Sequence, residues 1–166
     1  MATGTIRPAF DVWPTYDRRL REVVAGLTEA QLAASPAPDR WPLWATIGHT
    51  ACQRVFWLCD YGGEPGAAAS PFPNAGFDCP GDDDLEHVWS AEALVDALAR
   101  TFEIVEGCLD RWTPETLEEV IEHPDDDRVQ TRGWVLQRVF SHDVYHCAEI
   151  NEALAAAGLP IVDLWD

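Results

Sequence analysis

Two histidines four residues apart, His142 and His146, are the residues of this sequence that point most directly to chemistry. A helix places residues i and i+4 on one face, so the two imidazoles would lie about 6 Å apart along its axis. At that separation both rings can bind the same metal ion. A spacing of four also arises by chance in a chain with five histidines, so its meaning depends on the elements that carry it.

The last predicted helix covers residues 131–157 and directs both histidines inward. Its apolar residues recur at helical spacing on one stripe, which also contains the two histidines: Val135, Val139, His142, His146, Ile150, Ala153 and Ala157. Gly158 and Pro160 mark the end of this helix. We therefore expect both imidazoles to face the core.

A second predicted helix, residues 43–61, is apolar on two adjoining stripes, which indicates a central position in the fold. One of these stripes carries a histidine among its apolar members: Ala45, His49, Cys52, Phe56 and Cys59. Gly62 and Gly63 follow and supply a left-handed stop. His49 is therefore the candidate for a third ligand from a different helix.

Together, His49, His142 and His146 are predicted to form an open three-histidine metal site. Imidazole nitrogen is a common ligand of zinc, nickel and iron, and three such ligands leave a position for water or substrate. The competing interpretation is that each is a buried histidine satisfied by hydrogen bonds, but three on inward stripes favour the metal. His87 and His123 lie beside acidic or proline residues and are predicted to be on the surface.

Neighbouring side chains could modify such a site. Cys52 follows His49 by three positions on the same face, so its sulfur could close the coordination and favour a structural zinc; otherwise it is a small buried hydrophobe. Asp143 and Glu149 could orient an imidazole as hydrogen-bond acceptors, and solvated helix positions are the alternative for both.

Two more helices, residues 13–27 and 90–112, bring the predicted total to four, with Ser90 as the cap of the latter. No strand pattern or internal repeat is evident, and residues 124–128 are predicted to be an acidic loop. The sequence thus predicts an all-α fold, a four-helix bundle with a long crossover connection between helices two and three, in a single domain over residues 1–166.

That connection, residues 62–89, is rich in Gly, Pro and Asp and is unusually long for a compact domain. Its aromatic residues Phe72, Phe77 and Trp89 indicate that it packs onto the helices. A cover over the mouth of a pocket and a plain crossover explain it equally well.

Composition excludes several kinds of partner. The chain has 29 acidic and 11 basic residues, a formal charge of −18, and would repel phosphate backbones and anionic lipid surfaces. Its apolar runs are too short for a transmembrane helix. Five cysteines without a CxxC pair do not resemble a disulfide framework and fit a reducing compartment, so we expect a cytoplasmic protein without nucleic-acid or membrane partners.

Two segments resemble the DinB-like superfamily of four-helix bundles, which includes YfiT-like proteins and thiol-dependent S-transferases. They are residues 41–50, WPLWATIGHT, and residues 138–150, RVFSHDVYHCAEI, and the order of helices matches over nearly the whole chain. The resemblance implies a divalent metal, zinc or nickel, bound by His49, His142 and His146, and frequent homodimerisation. One departure is Cys147, where many relatives carry a basic residue.

Characterised relatives couple thiols such as mycothiol or bacillithiol to electrophiles, or use the thiol to isomerise a substrate. A coordinated thiol loses its proton near neutral pH, and the thiolate is the reactive form. The resemblance therefore implies a metal-dependent thiol S-transferase or isomerase, with a small thiol and an electrophile as partners. A non-catalytic, metal-stabilised ligand-binding or interaction bundle is the alternative, because a fold alone confers no reaction.

Overall fold

The computed structural model is mostly helical and describes residues 4–76, 78–123 and 126–165. The helices are α1 (Trp13–Ala25), α2 (Glu29–Leu32), α3 (Leu43–Val55), α4 (Ala91–Arg111) and α5 (Arg132–Ala156). The four predicted helices correspond to α1, α3, α4 and α5, whereas α2 is a single turn. No helix in these described ranges is long and apolar enough to cross a membrane.

A small antiparallel sheet corrects the prediction that the chain has no strands. Strand β1 (Val120–His123) pairs with β2 (Asp126–Thr131), with Val120 opposite Thr131 and Ile121 opposite Gln130. Residues 126–128, predicted as part of an acidic loop, thus belong to a strand, whereas residues 124 and 125 lie outside the described part. Of the β1 side chains that the structure describes, Ile121 alone is buried, so the segment lacks the apolar alternation by which a strand is detected.

Polar caps fix where the two longest helices begin. The Ser90 hydroxyl accepts a hydrogen bond from the backbone N–H of Ala93 at 3.2 Å, as predicted for α4. The Thr131 hydroxyl accepts one from the N–H of Trp134 at 3.1 Å and starts α5 directly after the sheet. Each cap satisfies a backbone donor that the helix itself cannot, which is worth about 1 kcal/mol.

Helix α3 lies at the centre of the packing, as its two apolar stripes predict. It packs against both α4 and α5, and all but one of its residues are buried. A π-helical segment, Phe56–Tyr61, continues it to the predicted stop. A Cβ on Gly62 would lie 2.7 Å from the carbonyl oxygen of Leu58, and Gly63 has a φ of +72°, so both positions favour glycine.

The long connection between residues 62 and 89 packs on the helices. Phe72 is 1% exposed, and its ring stacks on that of Trp89 with 5.3 Å between centroids. Phe77, the third aromatic residue predicted to pack there, lies outside the described residues. Further along the connection, Cys79 and Pro80 are buried and lie against α3, which brings this segment to the histidines.

Candidate metal centre

The three predicted histidines lie in the middle of their helices and are buried. His49 is 5% exposed on α3, and His142 and His146, one turn apart on α5, are each 7% exposed. Because α3 and α5 pack directly against each other, the inward stripes of the two helices meet. The structure thus brings together side chains that are 93 and 97 positions apart in the sequence.

The Nε2 atoms of the three imidazoles converge on one point. Nε2 of His142 lies 3.2 Å from Nε2 of His49 and 3.1 Å from Nε2 of His146. Nitrogen ligands at the usual 2.0–2.1 Å from a tetrahedral zinc are about 3.3 Å apart, and those of an octahedral ion about 3.0 Å. The spacing therefore suits a first-row divalent ion in either geometry.

The outer nitrogens decide which ring nitrogen carries the hydrogen. Nδ1 of His49 lies 3.2 Å from the carbonyl oxygen of Pro80, and Nδ1 of His146 lies 2.7 Å from Oε2 of Glu149. Both oxygens are acceptors, so each Nδ1 must donate and each Nε2 is left with its lone pair. Two lone pairs thus point at the third imidazole, an arrangement that a cation stabilises.

Protons are poor candidates for that cation. Burial, with the neighbouring His146 and His49, lowers the pKa of His142 to about 2. Burial and His49 also lower the pKa of His146, although Glu149 opposes the shift. Neutral imidazoles are the form that binds metals. The ligand atoms of His49, His142 and His146 all lie within 4.8 Å of one another. The three histidines therefore fit a metal ion and could bind one.

The connection between α3 and α4 forms one wall of the centre. A Cβ on Gly48 would lie 3.0 Å from the Pro80 ring, so a small residue beside His49 allows this close approach. Nearby, Gly81 has a φ of +85° and packs against Trp41, whose ring contacts His49 at 4.9 Å between centroids. Of the two interpretations of this connection, a cover close to the site agrees better with these contacts.

The two acidic residues named as possible orienting groups have different surroundings. Glu149 does orient His146, and its second oxygen accepts a hydrogen bond from Arg40 at 3.0 Å. Asp143 is buried and faces away from the imidazoles, where it accepts hydrogen bonds from Trp13 and Arg54. It is neither a partner of an imidazole nor a solvated residue.

A buried arginine behind the site is the feature that sequence reasoning missed. Arg54 is 1% exposed and donates to Asp143 at 2.8 Å from Nη2 and to Asp17 at 2.8 Å from Nη1. Burial alone would lower its pKa, but the two carboxylates hold that pKa above the usual value. A signal was available, since Arg54 is the one Asp, Glu, Lys or Arg residue in α3. The network links α1, α3 and α5 one residue from His142.

Cys52 is not among the side chains that converge with the three imidazoles. Its thiol lies 3.8 Å from the carbonyl oxygen of Ala75 and is hydrogen-bonded to Cys79. Cys79, which the sequence did not single out, lies 3.6 Å from Nδ1 of His49. The hydrogen bond from Cys52, together with His49 and Gln53, lowers the pKa of Cys79.

Of the other two histidines, His87 does not join the site. His87 is on the surface, as predicted, with an 81% exposed side chain whose Nδ1 lies 2.9 Å from Oδ2 of Asp84. The side chain of His123 is outside the described part of the structure, so its predicted surface position stays a prediction.

The chain belongs to the DinB superfamily, whose family model matches residues 16–150. A DinB-like protein from Bacillus cereus ATCC 10987 has the same fold, with a TM-score of 0.70 at 19% identity over 96% of this chain and 97% of that one. A conserved protein from Enterococcus faecalis is also similar, with a TM-score of 0.66 at 19% identity over 93% of this chain and 96% of that one. No curated protein matches the sequence significantly. At this identity the structures establish the fold and assign no reaction.

Proposed function

We propose that His49, His142 and His146 bind one divalent metal ion, zinc or nickel, and that the protein is an enzyme that uses it to activate a small thiol. The observation that carries the proposal is the close approach of three Nε2 atoms, with the rings of His49 and His146 held by hydrogen bonds at Nδ1. When bound, such an ion lowers the pKa of a thiol and holds the thiolate, the form that attacks an electrophile.

The protein's own residues prepare this site in two ways. Glu149 and the carbonyl of Pro80 hold the rings of His146 and His49 so that neither has to turn when the ion binds. Burial lowers the pKa of His142 and His146, which favours their neutral form, and it limits the access of water to all three rings. Both effects favour metal binding, and the second protects a thiolate from competing reactions.

An open coordination position supports a catalytic role. Three nitrogen ligands leave at least one position on the ion, and a fourth protein ligand would close it. Cys52, the residue that could have supplied this ligand, turns its thiol toward Ala75 and Cys79 instead. We therefore favour a thiol S-transferase or isomerase over a closed structural site.

The second candidate is a non-catalytic protein in which the metal fixes α3 to α5. It is favoured by one observation, that the three ligands come from these two helices, which the ion would cross-link. It predicts a large loss of thermal stability on chelation and no reaction with any thiol. Turnover of a thiol with an electrophile would exclude it.

Further expectations belong to the same proposal. The four long helices are proposed to form the superfamily's four-helix bundle, with residues 62–89 as its crossover, in a single domain. A homodimer, a cytoplasmic location and the absence of nucleic-acid partners also remain predictions from the sequence.

Elemental analysis of the purified protein tests the metal first. We expect about one zinc or nickel ion per chain in the wild type and none in His146→Ala. His87→Ala is the matched control, because it removes an exposed histidine and should keep the full metal content. A His146→Ala protein that retains its metal would remove this ligand from the assignment.

A thiol panel tests the reaction. The metal-loaded wild type should conjugate a low-molecular-weight thiol to an electrophile such as chlorodinitrobenzene, and His146→Ala should not. The absence of any reaction in metal-loaded protein, across thiols and electrophiles of different charge, would favour the second candidate.

A further inference from the structure

A cleft of about 450 Å³ lies beside the three histidines, between the segment that precedes α3 and the side of α5 that carries His146 and Glu149. His146 forms part of its wall, so a molecule held at the metal centre has space to extend into it. Small-molecule sites typically have volumes of about 300–1,000 Å³. The cleft thus has the size and the position of a substrate site.

The charges along the cleft are mostly negative. Its arginine, Arg40, binds Oε1 of Glu149 at 3.0 Å, while the other oxygen of Glu149 accepts from His146. Asp39 and Glu152 also line the cleft and are exposed, and neither has an ion pair or side-chain hydrogen bond within the described residues. The positive charge is therefore compensated, whereas two carboxylates are free to meet a ligand.

Aromatic rings complete the lining. Trp41 packs edge-on against His49, and Tyr145 lies against His146 with 5.0 Å between ring centroids while remaining 59% exposed. The face of an aromatic ring attracts an organic cation, and a carboxylate forms a charge-assisted hydrogen bond with an ammonium group. Both elements of the lining therefore favour a cation.

The flank of the centre on the side of Pro80 is acidic as well. Oδ2 of Asp82 lies 3.5 Å from Nδ1 of His49, and the side chain of Asp82 is 52% exposed. A ligand with a carboxylate at its free end would meet negative charge on either side of the histidines.

We propose that this cleft selects the thiol that enters the metal centre. It favours a thiol that carries a positively charged amine and disfavours a thiol that ends in a carboxylate. The proposal rests on the proposed function, because it assigns the free end of the same thiol. Asp39 and Glu152 determine the preference, and Trp41 and Tyr145 provide the surface on which the amine lies.

The test uses protein loaded with cobalt(II), which absorbs visible light when sulfur binds it. Three thiols of equal length are titrated at low ionic strength: 2-aminoethanethiol, 2-mercaptoethanol and mercaptoacetate. These thiols differ in their own acidity, so their affinities for one protein are not compared directly. The decisive quantity is the affinity for 2-aminoethanethiol divided by that for mercaptoacetate, and how this ratio changes between variants. Two carboxylates acting on ligands that differ by two charges should give a change of about tenfold.

The Asp39→Asn/Glu152→Gln variant should therefore lower that ratio about tenfold, with 2-mercaptoethanol binding little changed. The matched control is Glu92→Gln/Glu103→Gln, which removes the same net charge from exposed positions of α4 that do not line the cleft. It should leave the ratio within about twofold, and added salt should reduce the wild-type ratio.

Two failures can be told apart. If no thiol changes the cobalt spectrum, the proposed thiol chemistry is wrong and the cleft proposal is overturned with it. If all three thiols bind and the ratio is the same in the wild type and in Asp39→Asn/Glu152→Gln, the thiol chemistry stands and the cleft proposal alone is overturned.

Discussion

Glu149 accepts a hydrogen bond from His146, with 2.7 Å between Oε2 and Nδ1, and the same carboxylate binds Arg40 through its other oxygen. A single acidic residue thus fixes the tautomer of one proposed ligand and neutralises a cation at the edge of the cleft. Its position three residues after His146 places it one helical turn away on the same face.

Replacing Glu149 with alanine should weaken metal binding. Loss of an acceptor behind a metal-binding histidine typically lowers the affinity 10–100-fold, because the ring is no longer held with Nε2 toward the ion. Glu149→Gln keeps an acceptor oxygen and should have a smaller effect. Competition with a chromophoric chelator measures the affinity, and Glu103→Gln serves as the control. Equal affinities in all four proteins would show that Glu149 does not act on the metal.

Removal of the buried cation should destabilise the protein strongly. Arg54→Met leaves Asp143 buried without its cationic partner and leaves Asp17 with its ion pair to Arg21. Loss of one member of a buried ion pair typically costs about 3–5 kcal/mol. Urea unfolding measures this loss. Arg100→Met, which breaks an exposed ion pair with Asp96, should leave the unfolding midpoint nearly unchanged.

A partial rescue separates charge from packing in the same network. Adding Asp143→Asn to Arg54→Met removes the buried charge that has lost its cationic partner and should recover part of the lost stability. If the triple variant that also carries Asp17→Asn is no more stable than Arg54→Met, the loss arises from the shape of the arginine rather than its charge.

Chelation should lower the melting temperature of the wild type. An ion that binds only the folded protein stabilises it by RT ln(1 + [L]/Kd), about 4 kcal/mol when the free ion is at a thousand times Kd. Scanning calorimetry with and without a chelator measures the shift. His142→Ala should show no shift, whereas His87→Ala should behave as the wild type does. An identical melting temperature with and without metal would contradict a metal link between α3 and α5.

Two glycines with positive φ offer a matched test of the wall around His49. Gly63→Ala meets only the backbone cost of φ +72°, about 1 kcal/mol, because no atom lies within 4 Å of the added Cβ. Gly81→Ala combines φ +85° with a Cβ 2.7 Å from the ring of Trp41 and should cost more. It should also weaken metal binding, since Trp41 packs on His49; chelator competition and urea unfolding measure both effects.

The strand pair shows where prediction from the sequence stopped. Ile121 is buried, whereas Val120 and Val129 are 56% and 74% exposed. The apolar residues therefore do not form the alternating pattern that predicts a strand. Backbone pairing and the helix cap at Thr131 stabilise these strands, and neither leaves a periodic signal. Long amphipathic helices do leave one, which is why α1, α3, α4 and α5 could be predicted.

The sequence by itself determined which faces of α3 and α5 are buried, and with them that His49, His142 and His146 point inward, because helical periodicity assigns every residue to a face. Only the tertiary structure decided that Nε2 of His142 lies 3.2 Å from Nε2 of His49 and 3.1 Å from Nε2 of His146. It also decided the partners that no local pattern encodes, the carbonyl of Pro80 for His49 and the carboxylates for Arg54. Such partners come from other elements, so they depend on how the helices and the connection pack against one another.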